Sequence, residues 1–281
     1  MKLALTALAL LLGACASNPP PLSQTQIQAV IASPDRTAAD RTTDQRRKPD
    51  QMIAFFGVRP GMTGLDISAA GGYTTELLAR AIGPTGTVYG QSAPPDPTRK
   101  PPAQAEGNAN PTAMPAAPAA APPPPPVRRT SAESLTLRAE TMRAAGTKAA
   151  AIVPVLQKFD SPVPADLAAA KLDIVTLIFN YHDLGHMGVD RAAMNRAVFA
   201  ALKPGGVYVI ADHAGRPGTG ISEAGTLHRI EEAFLKNEVE AAGFKLAAVG
   251  DFLRNPNDPK DRNTPEPAQP KDQFVVKFVK P

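Results

Sequence analysis

Polar and ionisable side chains recur where apolar runs break off. Asp66 lies near the end of the run 62–67 and is followed by the small-residue turn Ser68-Ala69-Ala70-Gly71-Gly72. Gln91 ends a second run, Asn180-Tyr181-His182-Asp183 follows a third, and Asp212-His213 follows a fourth. Three of the four histidines, His182, His186 and His213, lie at the last two breaks. A free imidazole titrates near ~6.5, which suits proton transfer at neutral pH. A helix that starts after a small-residue turn offers unpaired N–H groups and partial positive charge, which suit a carboxylate or phosphate. His182-Asp-Leu-Gly-His186 places two histidines four apart with an acid beside the first. On a helix such a pair can ligate zinc. Gly185 and the preceding strand oppose a helix here, so no metal is assigned, and a metal-dependent hydrolase is the least favoured reading.

These groups can converge only if the elements behind them line up. Apolar runs predict strands at about 62–67, 87–91, 149–153, 172–179, 207–211, 244–249 and 273–279. The run 172–179 is nearly continuous, as expected of a central parallel strand covered on both faces. Helical spacing predicts helices from Pro49 through Phe56, after Gly72, over 131–145, from an Asp190 cap to Leu202, and over 226–242. Alternating strands and helices require a mainly parallel sheet with right-handed crossovers and helices on both faces. The last two strands have no helix between them, which suits a closing antiparallel strand. In such α/β sheets ligands bind beyond the carboxyl ends of the strands. The breaks at Asp66, Gln91, Asn180–Asp183 and Asp212–His213 would therefore share one rim. His228 falls inside the last predicted helix and reads as structural or exposed.

Composition narrows the function. The 281 residues carry a formal charge of +4, with scattered cations and no tryptophan. That argues against a nucleic-acid surface, and Arg46-Arg47-Lys48 reads as a solvated helix entry. Residues 15–48 are polar and proline-punctuated and predict a tether with at most one short helix. The domain proper spans 49–281, interrupted by a Pro/Ala-rich insertion at 92–128 that is expected to be disordered. Both sides of the insertion belong to one domain, because the strand before it needs neighbours from after it.

The N-terminus has Lys2, an apolar run from Leu3 to Leu12, and small residues before Cys15. Residues 1–14 read as a signal peptide. Leu12-Gly13-Ala14-Cys15 resembles the lipobox of bacterial lipoproteins. That resemblance implies cleavage before Cys15 and lipid attachment to it, with several acyl chains giving a stable bilayer anchor. Ala16 rather than Asp follows, so an outer-membrane location facing the periplasm is expected over the inner membrane. Without Cys15 the remaining chain contains no cysteine, hence no disulfide, thiolate nucleophile or cysteine metal ligand.

From Pro49 to Pro281, the insertion excepted, the sequence resembles class I S-adenosylmethionine-dependent methyltransferases. The resemblance rests on the strand–Asp66–turn–helix unit, the Leu202-Lys-Pro-Gly-Gly206 run and the final strand pair. Phe55-Phe56-Gly57-Val58, Asn180-Tyr181-His182-Asp183 and Asp190-Arg191-Ala-Ala-Met-Asn-Arg196 are similar to a bacterial group known only as predicted methyltransferases. The resemblance implies a Rossmann-like fold and methyl transfer from S-adenosylmethionine to a small-molecule acceptor. Asp66 and the loop Ser68, Ala69, Ala70, Gly71 and Gly72 would face the amino-acid end of the cofactor. Gln91 would meet the ribose, where the family usually has an acid. Asn180 to Asp183 would lie where the methyl group and acceptor meet. His182 is the candidate general base, with Asp183 or Asp212 orienting it and Tyr181 positioning the acceptor. Asp212 and His213 are candidate substrate contacts. Two departures stand out: Ser68 and Ala70 replace glycines of the family loop, and Gln91 lacks a charge. The export signal also separates the protein from a cofactor made in the cytoplasm. A non-catalytic envelope ligand-binding protein on the same fold is therefore the alternative.

Overall fold

In the computed structural model of the chain, residues 19–95, 129–265 and 269–281 are described. The signal peptide, Cys15 and nearly all of the 92–128 insertion lie outside them.

Seven strands form one sheet in the order β3-β2-β1-β4-β5-β7-β6. They are β1 (Thr63–Ile67), β2 (Thr87–Ser92), β3 (Ala151–Leu156), β4 (Leu172–Ile178), β5 (Leu202–His213), β6 (Lys245–Gly250) and β7 (Gln273–Val279). β1 through β5 pair in parallel, and β7 runs antiparallel between β5 and β6. The expected α/β architecture, with its antiparallel strand near the end of the chain, is therefore the one observed. β4 is central, and its run Leu172-Asp-Ile-Val-Thr-Leu-Ile178 is buried at every position except Asp173. Burial on both faces is what an unbroken apolar strand requires.

On one face lie α3 (Pro49–Phe56), α4 (Tyr73–Ile82) and α5 (Ser131–Ala144). Met52, Ile53, Phe56, Leu77, Leu78 and Met142 from these helices share a core with Val88 and Ile174 of the sheet. On the other face lie α7 (Arg191–Ala201) and α8 (Glu232–Ala241), which pack Met194, Val198, Leu235 and Val239 against Leu65, Val175 and Tyr208. Asp190 caps α7 as expected, accepting the Ala193 N–H at 2.8 Å. Gly90 of β2 leaves room for α5: a Cβ there would meet Leu135 Cδ1 at 2.4 Å.

The region expected to be a tether is instead two helices docked on the domain, α1 (Gln24–Ala32) and α2 (Ala38–Arg47). Ile27 enters the same core as α3 and α4. Polarity misleads here because α2 docks by charge rather than by an apolar face. Arg36 pairs with both carboxylate oxygens of Asp44 at 2.7 Å, and Arg138 of α5 does the same to Asp40 at 2.9 Å. Arg80 of α4 holds Asp35 at 2.8 and 3.0 Å and Glu76 at 2.8 Å. Tyr73 donates to Asp44 at 2.6 Å.

The last helix is shorter than predicted. Residues 226–231 do not join α8, because Ile230 bridges to Ala214 beside the end of β5. Arg229, fully buried, bonds Asp258, the Ala214 carbonyl and the Arg262 carbonyl. Those anchors hold the segment in a non-helical turn ahead of α8. A single helical turn, α6 (Asp183–His186), does form across Gly185, against expectation. Gly185 suits it because a Cβ would strike Ile221 at 2.6 Å.

Candidate functional site

The strand order reverses direction between β1 and β4, and the carboxyl ends of these strands frame the crevice where such sheets bind ligands. Asp66 ties the two strands together beneath that crevice. Its Oδ1 accepts from Thr176 on β4 at 2.8 Å, and its Oδ2 accepts from Thr75 on α4 at 2.6 Å. The carboxyl is 2% exposed. Burial raises its pKa to about 6, against the pull of Thr75, Thr176 and Arg47. Asp66 thus supports the crevice floor rather than projecting from it.

Above Asp66 the small-residue loop has left-handed backbone at alternate positions: Ser68 at φ 59°, Ala70 at 48° and Gly72 at 80°. Glycine adopts this conformation freely, whereas a residue with a Cβ pays roughly 1–2 kcal/mol. The loop therefore keeps a glycine-loop path without its first two glycines. Ala70 and Gly71 are exposed, Ser68 is half-buried, and Ala69 and Gly72 are buried.

Left-handed backbone recurs at the tip of β4. Phe179 has φ 66°, a strained value for an aromatic residue. It turns the chain so that its ring stacks on His213, with centroids 5.4 Å apart, and supports the guanidinium of Arg47 at 4.2 Å. Arg47 ends α2 and reaches over the crevice between Phe179 and Tyr73. Its Nε is buried with no hydrogen-bond partner. Burial and Arg46 push its pKa down to about 9, which leaves it a cation at neutral pH. Arg47, expected as part of a solvated helix entry, is instead stacked on Phe179 with its Nε buried. The signal lay one step on, in Lys48-Pro49: Lys48 takes φ 44° and folds α2 back before Pro49 starts α3.

Several expected contacts serve other purposes. Gln91 is fully buried. Its Oε1 accepts the Ser68 N–H at 2.9 Å, and its Nε2 donates to the Gln157 carbonyl at 2.6 Å. Its amide is thus used to brace the loop rather than to meet a ribose. Tyr181 is also fully buried. Its hydroxyl donates to Glu238 of α8 at 3.0 Å and accepts from Asn195 of α7 at 2.9 Å. It faces the helical layer and cannot position an acceptor at the rim.

Asp212 is fully buried and holds His182. One oxygen contacts His182 Nδ1 at 2.6 Å and the other accepts the His182 N–H at 2.8 Å. It orients that ring, as one of its two expected roles, and has no surface left for substrate. Asp183 lies on the far side of the ring, 3.3 Å from Nε2. Burial disfavours the imidazolium, but Asp212 and Asp183 outweigh it and raise the His182 pKa to about 10. His182 is therefore protonated at neutral pH, a donor and a positive charge rather than a general base. Asp183 feels burial in the opposite direction, yet His182 and Asn180 keep its carboxyl below the usual range. The Asn180 amide donates to Asp183 at 3.1 Å. His213 is buried beside Gln273 Nε2 at 3.1 Å, and burial, Lys271 and His182 keep its ring neutral.

His228, placed in a helix by periodicity, instead joins this cluster at φ 51°. Its ring meets His182 edge-on at 5.5 Å and His186 at 5.9 Å. With His182 and His213 at 5.5 Å, all four histidines of the chain form one continuous series. Local periodicity holds no signal for this, because Arg229 would fall on the polar side of the predicted helix and its anchor, Asp258, lies elsewhere in the chain.

No family model matches the chain, and no curated protein matches it. Solved structures do. An S-adenosylmethionine-dependent methyltransferase from Aquifex aeolicus aligns with a TM-score of 0.53 at 15% identity, covering 92% of this chain and 100% of that one. An arsenic(III) S-adenosylmethionine methyltransferase from Chlamydomonas reinhardtii aligns at 0.52 and 13%, covering 93% and 74%. The [4+2]-cyclase SpnF aligns at 0.51 and 14%, covering 94% and 99%. The chain has the Rossmann-like fold of these class I methyltransferase structures, a scaffold whose bearers include one named for a cyclisation.

Proposed function

We propose that the protein is an S-adenosylmethionine-dependent methyltransferase acting on a small molecule. The observation that carries this reading is the β1–β4 crevice. A loop with three left-handed positions sits over a buried acid, capped by a cation whose Nε has no partner. Arg47 and the exposed Ala70-Gly71 backbone fit the carboxylate end of an amino-acid-bearing cofactor. The ribose end fits less well, because Gln91 is committed to the loop. Bound S-adenosylmethionine would supply a methyl group for in-line displacement. The chain's own part is to orient the two partners, which can contribute on the order of 7–11 kcal/mol. Asn180 and Asp183 stand half-buried at the rim, where they can hold a polar acceptor. The cationic His182 stabilises negative charge there and does not remove a proton at neutral pH.

The committed Gln91 amide favours a second reading, a non-catalytic ligand-binding protein on the same scaffold. Calorimetry with S-adenosylmethionine and S-adenosylhomocysteine separates the two. We expect binding of both, weakened roughly 10–100-fold by Arg47→Ala, the usual range for a lost charged hydrogen bond. No heat at millimolar ligand would transfer support to the binding-protein reading. The same proposal includes export and lipidation at Cys15, with the domain held at the periplasmic face of the outer membrane and no nucleic-acid partner.

A further inference from the structure

Three donor atoms from two separate segments meet at one point beside the crevice. His182 and Asp183 follow β4, and His228 comes from the turn ahead of α8. His182 Nε2 and His228 Nδ1 each lie 3.3 Å from Asp183 Oδ1. One ligand atom from each residue falls within 4.8 Å of the others. A tetrahedron with bonds of ~2.0–2.1 Å has edges of roughly 3.3–3.4 Å, so two of the three edges already have the length a shared ion would impose.

His182 supplies an independent observation. The residue is 2% exposed, and its Nε2 is buried with no hydrogen-bond partner, Asp183 Oδ1 approaching it only as an ion-pair contact at 3.3 Å. Leaving such an atom unfilled costs about 1–3 kcal/mol. Its other ring nitrogen is held by Asp212, which also fixes the His182 backbone N–H. A carboxylate behind an imidazole whose far nitrogen faces two further donors is the usual support of a metal-ligating histidine.

We propose that His182 Nε2, Asp183 and His228 Nδ1 bind a divalent transition-metal ion of the zinc type, with Asp212 as the positioning residue for His182. Binding releases to solvent the Nε2 proton that His182 carries in the metal-free protein, so that the ring ligates as a neutral imidazole. Two imidazoles and one carboxylate suit Zn2+, Co2+ or Ni2+, whereas Mg2+ and Ca2+ prefer oxygen ligands throughout. Asp183 and His228 are half-buried, so an ion can enter from solvent and keep a coordination position open to water or substrate. Three protein ligands with an open position is the arrangement of a Lewis-acid centre. The site stands on its own geometry and does not depend on the methyltransferase reading.

The test uses untagged full-length protein, dialysed against a chelator and titrated with Co2+ and then Zn2+. One Co2+ per chain is expected, with visible absorption bands that Zn2+ abolishes. His228→Ala and Asp183→Asn should each weaken binding at least ~100-fold, and Asp212→Asn roughly 10–100-fold. His186→Gln should leave it nearly unchanged. The melting temperature of each variant without metal separates lost ligation from lost folding, and His228→Gln substitutes if His228→Ala melts early. Absence of saturable binding below about 10 μM overturns the proposal. So does a His186→Gln loss as large as that of His228→Ala, or Mg2+ binding as tight as Zn2+.

Discussion

Asp66 carries the clearest pH signature of any single residue. Its folded pKa of about 6 lies above the ~3.9 of an unfolded aspartate. Below pH ~4 the carboxyl is protonated in both states and burial is not penalised. From pH ~4 the unfolded chain ionises while the folded chain resists, so this contribution to stability falls until about pH 6. The loss amounts to about 3 kcal/mol. Asp66→Asn removes the titration. The stability of the variant relative to wild type should therefore climb by about that amount between pH 4 and pH 7, as read from urea unfolding at each pH. A flat difference would mean that Asp66 is ionised and satisfied where it sits. At this scale the sequence was only partly legible. Asp66, His182 and Asp212 do share the sheet edge, because strand ends dictate where they emerge. What each side chain touches was readable for Asp212, which holds His182 as expected, and not for the others. Gln91 and Tyr181 turn inward to partners, Gln157 and Glu238, that no local pattern links to them.

At the scale of elements, charge does what apolar stripes do elsewhere. Arg80 is buried between Asp35, ahead of α2, and Glu76 on its own helix, while Arg138 joins Asp40 and Glu76. Removing one member of such a network leaves buried charges without compensation. Arg80→Met should thus cost about 3–5 kcal/mol, and proteolysis should open residues 19–48 before the sheet. Chemical denaturation with and without limited protease measures both. Intact stability in that variant would make the docking of α1 and α2 incidental. The strands and most helices were legible because apolar periodicity reports burial directly. α2 was not, since AADRTTDQRR has no apolar face and its partners lie as far away as Arg138. The false extension of α8 has the converse cause. Leu227 and Ile230 fit a helix, but the anchoring of Arg229 to Asp258 decides the backbone.

Across the whole molecule, strain is concentrated rather than spread. Seven non-glycine residues among those described have positive φ, and Ser68, Ala70, Phe179 and His228 lie on the carboxyl edge of the sheet. Such conformations persist only where the surroundings over-determine them. Here the well-packed cores on both sides of the sheet supply that constraint. The packed region begins close to the N-terminus, with Leu22 bonded to Val58 and α1 starting at Gln24.

That early start bears on how the protein would sit in a cell envelope. The covalent chain from Cys15 to Pro19 can span at most roughly 14 Å. A lipid on Cys15 would press the globule almost flush with the headgroups, and neutron reflectometry on a supported bilayer should find a gap below about 20 Å. A water layer of 30 Å or more would refute it. Held so close, the protein would sample chiefly molecules that dwell at the membrane surface, and its diet would be set by two dimensions rather than three.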